Sequence, residues 1–236
     1  MNNHKVIWIT GASSGIGKSL AIEFLENNFI VIGTARRIEL LNELKIQLGE
    51  KGKYFEPFKL DLSNSSSILK FYSEISKQHK IDCLINNAGL TSFNKSYDDS
   101  IEDIESIINV NLLGSISAIK AVLPEMMEKK SGTIINILSV VTQKLFTASS
   151  AYSASKAGLM AYTNVLREEV RDKNIRVINV SPGATATSIW PEKVLNQYSE
   201  RMMEPKQLAN LIFKIYSEKG NLVVENIFVR PITGDL

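Results

Sequence analysis

Several things are scarce in this sequence, and each shortage excludes a class of protein. Cys83 is the only cysteine, so no internal disulfide can form. It lies in the apolar run 81–85, which suits a buried thiol rather than a reactive one. The only histidines are His4 and His79, neither in a ligand-spaced motif, so no metal site is expected. Basic residues (27) nearly balance acidic ones (25) and form no dominant run, so nucleic acid is not an expected partner. No continuous apolar run reaches the roughly 18 residues of a membrane span. The polar residues 1–5 lead straight into Val6-Ile7-Trp8-Ile9, without the pattern of a signal peptide. No membrane partner is expected, and the expected setting is cytoplasmic. Linkers, repeats and low-complexity tracts are also missing, so residues 1–236 read as a single domain.

What is present is a regular alternation. Short apolar runs at residues 6–9, 30–33, 54–60, 81–85, 133–138, 176–180 and 221–229 read as strands. Most are continuously apolar, the pattern of strands covered on both faces. Helix-period segments lie between them at 18–26, 39–48, 66–76, 101–127, 152–170 and 205–217. This predicts an α/β fold, a Rossmann-like doubly wound parallel sheet of about seven strands with helices on both faces. Right-handed crossovers put the first strand near the middle. The serines at 63–67 read as a helix start, with hydroxyls capping free N–H groups.

Residues 10–17, Thr-Gly-Ala-Ser-Ser-Gly-Ile-Gly, follow the first strand and open a helix. Gly11, Gly15 and Gly17 permit a tight turn and close approach to a pyrophosphate, and the helix N-terminus offers free N–H groups. The spacing is not GxGxxG; a plain strand-to-helix turn is the alternative. An NAD site usually carries an acidic residue at the end of the second strand, and here none is found. Thr34-Ala35-Arg36-Arg37 stands there instead. Arginine binds a 2′-phosphate by charge-assisted hydrogen bonds, which points to NADP(H), with Arg36 as ligand and Ser13 or Arg37 assisting. The alternative is a pair of solvated helix-opening arginines.

Tyr152 and Lys156 stand four apart, on one face of a helix. A free phenol titrates near pH 10; bringing it to about 7 needs roughly 4 kcal/mol, which a nearby ammonium helps to supply. Alone, the pair reads more readily as a surface contact. Ser139, however, ends the fifth strand, on the sheet edge where ligands bind, and its hydroxyl can donate to a substrate oxygen. Asn111 lies inside a helical segment and is either a satisfied buried amide or the holder of a water.

Together these motifs resemble those of the short-chain dehydrogenase/reductase family in its compact form. Residues 10–17 are similar to its TGxxxGxG loop, and Asn86-Asn87-Ala88-Gly89 to its NNAG motif. Asn111, Ser139, Tyr152 and Lys156 match its catalytic residues, and Asp61-Leu62 its adenine contact. Pro182-Gly183, followed by Thr185 and Thr187, resembles its PG motif beside the nicotinamide. The resemblance covers nearly the whole chain. It implies hydride transfer between NADP(H) and a small carbonyl or alcohol substrate. Tyr152 would exchange the proton, Lys156 would lower its pKa and bind the ribose, and Ser139 would hold the carbonyl. Asn111 would anchor a water leading from Lys156 to solvent. The implied cofactor contacts are Gly11, Ser13, Ser14, Gly15, Ile16, Gly17, Arg36, Arg37, Asp61, Leu62, Asn87, Ala88, Gly89, Tyr152, Lys156, Pro182, Gly183, Thr185 and Thr187.

The family often pairs subunits through the helices holding Asn111 and Tyr152, so a homodimer or homotetramer is expected. The small residues Ala154, Ala157, Gly158 and Ala161 either permit that contact or face this subunit's own sheet. The segment after Pro182, with Ile189, Trp190 and Pro191, is short for the family's substrate lid, and the C-terminus after Val229 is brief. Val140, Val141, Leu145, Phe146, Ile189 and Trp190 either line an apolar pocket or pack as core and lid. The substrate stays open among 3-oxoacyl thioesters, 3-hydroxy acids, steroid-like ketones and small aldehydes. A non-catalytic dinucleotide sensor on the same fold is the alternative function.

Overall fold

The protein is described by a computed structural model covering residues 4–236. The start of the polar N-terminal segment, residues 1–3, lies outside the described residues. Seven strands form one sheet: β1 (Val6–Thr10), β2 (Ile30–Ala35), β3 (Phe55–Lys59), β4 (Ile81–Asn86), β5 (Gly132–Ile137), β6 (Ile175–Pro182) and β7 (Asn226–Val229). All neighbours pair in parallel, in the order β3-β2-β1-β4-β5-β6-β7. The helices are α1 (Gly15–Glu26), α2 (Ile38–Gln47), α3 (Ser65–Ile75), α4 (Ile101–Ile108), α5 (Ser115–Lys129), α6 (Ser150–Val170), α7 (Glu192–Tyr198) and α8 (Pro205–Ser217).

The continuous apolarity of the strands follows from this layering. In β1, Ile7 and Ile9 pack into the layer built by α1, α2 and α8, with Leu20, Phe24, Leu41 and Ile212. Val6 and Trp8 pack into the opposite layer, with Ile68, Ile119 and Leu166 from α3, α5 and α6. Trp8 meets the rings of Phe71 and Tyr72, and its indole N–H donates to Thr34 Oγ1 at 3.1 Å. Each large apolar side chain fully buried in this way contributes roughly 1.5–3 kcal/mol.

One row, buried except at its outer end, is polar. Asn86, Asn136, Asn179 and Asn226 stand in register across β4 to β7. Each amide N–H donates to the next carbonyl oxygen along, at 3.0, 3.1 and 3.2 Å. Thr163 and Asn164 of α6 bind the same row through Asn179. The inner amides of Asn136 and Asn179 are satisfied on both sides, while Asn86 Oδ1 is left without a partner; truncating an inner member strands two groups, at roughly 1–3 kcal/mol each.

Three expectations need correcting. The single helix expected over 101–127 is broken: α4 passes through a π-helical turn, Asn109–Gly114, into α5. The wide turn lets the Asn111 amide reach the Leu90 backbone, a demand invisible in the apolar periodicity. The stretch Ile101–Lys129 is long and apolar enough to span a membrane by length and composition, yet half of its most apolar window is buried in the fold. The last strand begins at Asn226 rather than 221; its pairing with β6 starts at Asn179, whose N–H donates to Glu225 O at 2.8 Å. The α3 cap is Asn64, whose side chain accepts from Ser67 N–H at 3.0 Å, rather than a serine hydroxyl. α7 was not anticipated; none of its residues is buried, so it leaves no periodic apolar signal. Cys83 is fully buried, and burial pushes its thiol pKa up.

Candidate active site

The strand order reverses between β1 and β4, and a cleft of about 700 Å³ opens at the C-terminal ends of the strands. The glycine loop forms one wall. α1 begins at Gly15 behind Ser14, an extended residue without a side-chain cap. Ser13, Ser14, Gly15 and Ile16 line the cleft. With no capping side chain, the first N–H groups of α1 are left for a ligand or water. Gly17 does not line the cleft; it sets the packing behind. A Cβ there would lie 2.3 Å from the Gly11 carbonyl oxygen, so only glycine lets α1 come this close.

Thr10 ties this loop to the next motif, a role sequence reasoning missed. Its buried hydroxyl accepts from Asn87 N–H at 3.0 Å and Ala88 N–H at 3.1 Å. The Asn87 amide donates back to the carbonyls of Thr10 and Gly11 at 2.9 and 3.2 Å. The only early signal was its place as the last apolar-flanked residue of β1.

Arg36 and Arg37, at the end of β2, are exposed and line the cleft. Neither forms a salt bridge among the described residues, so both guanidinium groups are available to an anion. Asp61 and Leu62 after β3, with Asn87, Ala88 and Gly89 after β4, line the same floor. Asp61 Oδ1 already accepts from both the N–H and the hydroxyl of Ser63. Across the cleft, Pro182, Gly183, Thr185 and Thr187 follow β6. Thr187 leans against the glycine loop: a Cβ on Gly15 would lie 3.0 Å from its methyl.

Ser139, Tyr152 and Lys156 meet on the β5–α6 wall. Ser139 is buried just past β5, its hydroxyl accepts from Val141 N–H at 3.3 Å, and its nearness to Tyr152 lowers the phenol's pKa. Burial is the larger influence and pushes Tyr152 up to about 12. The ammonium of Lys156 lies 5.7 Å from the Tyr152 ring centroid and donates to the Ile137 carbonyl at 2.8 Å. Burial pulls Lys156 down to about 8. Its charged form is therefore held weakly, next to a phenol that keeps its proton through the neutral range.

Asn111 stands outside the cleft, behind Gly89 and Leu90. Its amide oxygen accepts from Leu90 N–H at 2.7 Å, and its amide N–H groups donate to Leu90 O and Ser155 Oγ at 2.8 and 3.0 Å. Both ends of the side chain are thus used in positioning Leu90 and α6.

Val140, Val141, Phe146, Ile189 and Trp190 line the cleft, whereas Leu145 is almost fully exposed. The lid is braced across the opening: the Trp190 ring stacks on Phe93 at 5.4 Å, and its indole N–H donates to Thr185 O. Phe93 and Asp235 were both missed in sequence. The small residues Ala154, Ala157 and Ala161 of α6 are exposed, so they do not face this subunit's own sheet.

The sequence profile described as short chain dehydrogenase matches residues 5–197, and the chain belongs to that family. It is similar over 98% of its length to 98% of a sepiapterin reductase from Chlorobaculum tepidum, at 30% identity. It is 34% identical to an NADP-dependent 3-hydroxy acid dehydrogenase from Schizosaccharomyces pombe, covering 96% of this chain and 92% of that one. Among solved structures, a metagenomic short-chain oxidoreductase in complex with NADP matches with a TM-score of 0.84 at 29% identity, over 96% of both chains. The chain is therefore an oxidoreductase of this family with its Rossmann-like fold.

Proposed function

We infer that the protein is an NADP(H)-dependent reductase or dehydrogenase interconverting a small carbonyl compound and its alcohol. The observation that carries this reading is the placement of Ser139, Tyr152 and Lys156 on the wall of a cleft whose far end holds an uncapped helix start and two exposed arginines. The residues fit the dinucleotide. Ser13, Ser14, Gly15 and Ile16 would hold its pyrophosphate, Arg36 with Arg37 its 2′-phosphate, and Asp61 and Leu62 its adenine side. Asn87, Ala88 and Gly89 would lie along its ribose side, and Pro182, Gly183, Thr185 and Thr187 beside its nicotinamide. When bound, the cofactor supplies or accepts the hydride. Solved relatives holding NADP support the assignment.

The chain's own residues supply the rest. The Ser139 hydroxyl donates to the substrate oxygen and holds it beside the Tyr152 hydroxyl. In reduction, Tyr152 gives its proton to that oxygen; in oxidation it takes one from the alcohol. Lys156 holds positive charge beneath the phenol and binds the ribose. Asn111 acts as a positioning residue through Leu90 and α6. The exposed small residues of α6 support pairing into a homodimer or homotetramer, and a cytoplasmic setting accompanies this reading.

The test is titration with NADPH and NADH, then NADPH oxidation against ketones, aldehydes and 3-oxoacyl thioesters. Arg36→Ala is expected to weaken NADPH roughly 10–100-fold, the value of a charge-assisted contact, and NADH little. Equal weakening of both cofactors would refute the 2′-phosphate role; turnover of no carbonyl would refute the reductase.

A further inference from the structure

Asp235 brings to the cleft a carboxylate that the reaction does not use. We propose that Asp235 is a specificity-determining residue, a hydrogen-bond acceptor for an N–H donor on the substrate. The preferred substrates would then be flat carbonyl compounds bearing an amine or similar N–H group, rather than acids. This rests on the assignment of Tyr152 as the reaction centre.

The chain delivers Asp235 there by a defined path. After β7, Pro231 packs on Gly183: a Cβ on that glycine would lie 3.2 Å from Pro231 Cδ. The chain then turns, with Gly234 N–H donating to Pro231 O at 2.9 Å and Gly234 in the left-handed region at φ +84. Asp235 and Leu236 come to rest lining the cleft.

The two carboxylate oxygens differ. Oδ2 accepts from Lys144 Nζ at 2.9 Å. Oδ1 is buried without a hydrogen-bond partner; Arg230 Nε stands 3.7 Å away, too far to donate well. The Arg201 guanidinium reaches only the backbone oxygen of Asp235, at 3.4 Å. None of Lys144, Arg201 and Arg230 lines the cleft, whereas Asp235 does. The cations hold the carboxylate from outside, and its side chain is 9% exposed. A buried acceptor left unpaired is costly, and a donor arriving with the substrate would relieve that cost.

The surroundings specify the rest of the ligand. Lys144 Nζ lies 5.2 Å from the Phe146 ring centroid, so Phe146 and Asp235 are neighbours through one ammonium. Phe146, Phe93 and Trp190 line the cleft, giving aromatic surface against which a flat ring can pack. A substrate carboxylate has no hydrogen to offer Oδ1, whereas an amine or ammonium would find both an acceptor and aromatic rings.

Three acetophenones carrying 4-aminomethyl, 4-methyl or 4-carboxymethyl groups test this, read by NADPH oxidation and by calorimetric affinity with NADP+ present. The wild type is expected to favour the amine over the methyl compound by at least about tenfold and to handle the acid worst. Asp235→Asn is expected to erase most of the amine's advantage and improve the acid. Lys144→Met, which loosens the outer hold but keeps the acceptor, is expected to retain the amine preference. No preference in either readout, preference for the acid, or an equal loss on all three ketones in both variants overturns the proposal, the last by reducing Asp235 to a latch. Affinities in the expected order without reduction of any ketone would instead overturn the reductase reading and leave the role of Asp235 standing.

Discussion

Replacement of Tyr152 by Phe is expected to lower kcat for carbonyl reduction by roughly 10²–10⁴-fold while leaving NADPH affinity nearly unchanged. The substitution removes one oxygen and preserves the ring beside Lys156, so the pocket keeps its shape. Retention of more than a few per cent of activity would remove Tyr152 as the acid. The wild-type pH profile gives a second reading of the same pair. With the phenol up at about 12, Tyr152 stays protonated across the neutral range and can donate. Lys156, down at about 8, is the group that changes charge. Below that value its ammonium supports the phenol and can return a proton. Above it the reductive kcat/KM is expected to fall, by up to about tenfold per pH unit. A profile flat to pH 10 would show that the charge of Lys156 is not needed. The same depression bears on stability. A lysine whose folded pKa is lowered opposes folding while protonated, here by roughly 3 kcal/mol below pH 8, and the cost fades between about 8 and 10.5. Its burial is a cost to stability, which argues that Lys156 serves the reaction.

The architecture was legible because the strands carry it in their own residues. A strand such as β1, apolar at successive positions, can only be covered on both faces, and seven such runs alternating with helical periods leave few topologies. The glycine loop and the Tyr152–Lys156 pair were legible because their chemistry needs fixed local spacing. What stayed hidden depends on contacts far apart in sequence. The π-turn at Asn111 answers to Leu90, and the reach of Thr10 to Asn87 and Ala88 to the pairing of β1 with β4. The burial of Tyr152 was hidden for a related reason. Sequence spacing puts the ammonium near the phenol but says nothing of burial, which outweighs the lowering influence of Ser139. Asp235 was invisible because only the turn after Pro231 returns it to the cleft.

Gly17→Ala is the second large effect, and it separates the glycine loop as a ligand cradle from a plain turn. In an ordinary helix the change would stabilise by about 1 kcal/mol, since alanine is the better helix former. Here the added methyl would lie 2.3 Å from Gly11 O and 2.4 Å from Asn87 Nδ2. Ordinary contact begins at 3.4 Å, so α1 and the loop must separate by about an ångström. The Asn87 amide bonds to Thr10 and Gly11 would stretch with them. Overpacking of this kind costs about 1–3 kcal/mol, enough to cancel the helix gain and lower Tm by several degrees in a chain of this size. The functional loss is expected to be larger than the structural one. Misplacing the start of α1 by an ångström withdraws the free N–H groups from a bound phosphate, and about 10²-fold in NADPH-supported turnover should go with it. Thermal unfolding of the cofactor-free protein and NADPH titration read the two losses separately. Unchanged affinity with a lowered Tm would make the loop a structural turn only. A fall in affinity far beyond the change in Tm is what a phosphate cradle requires.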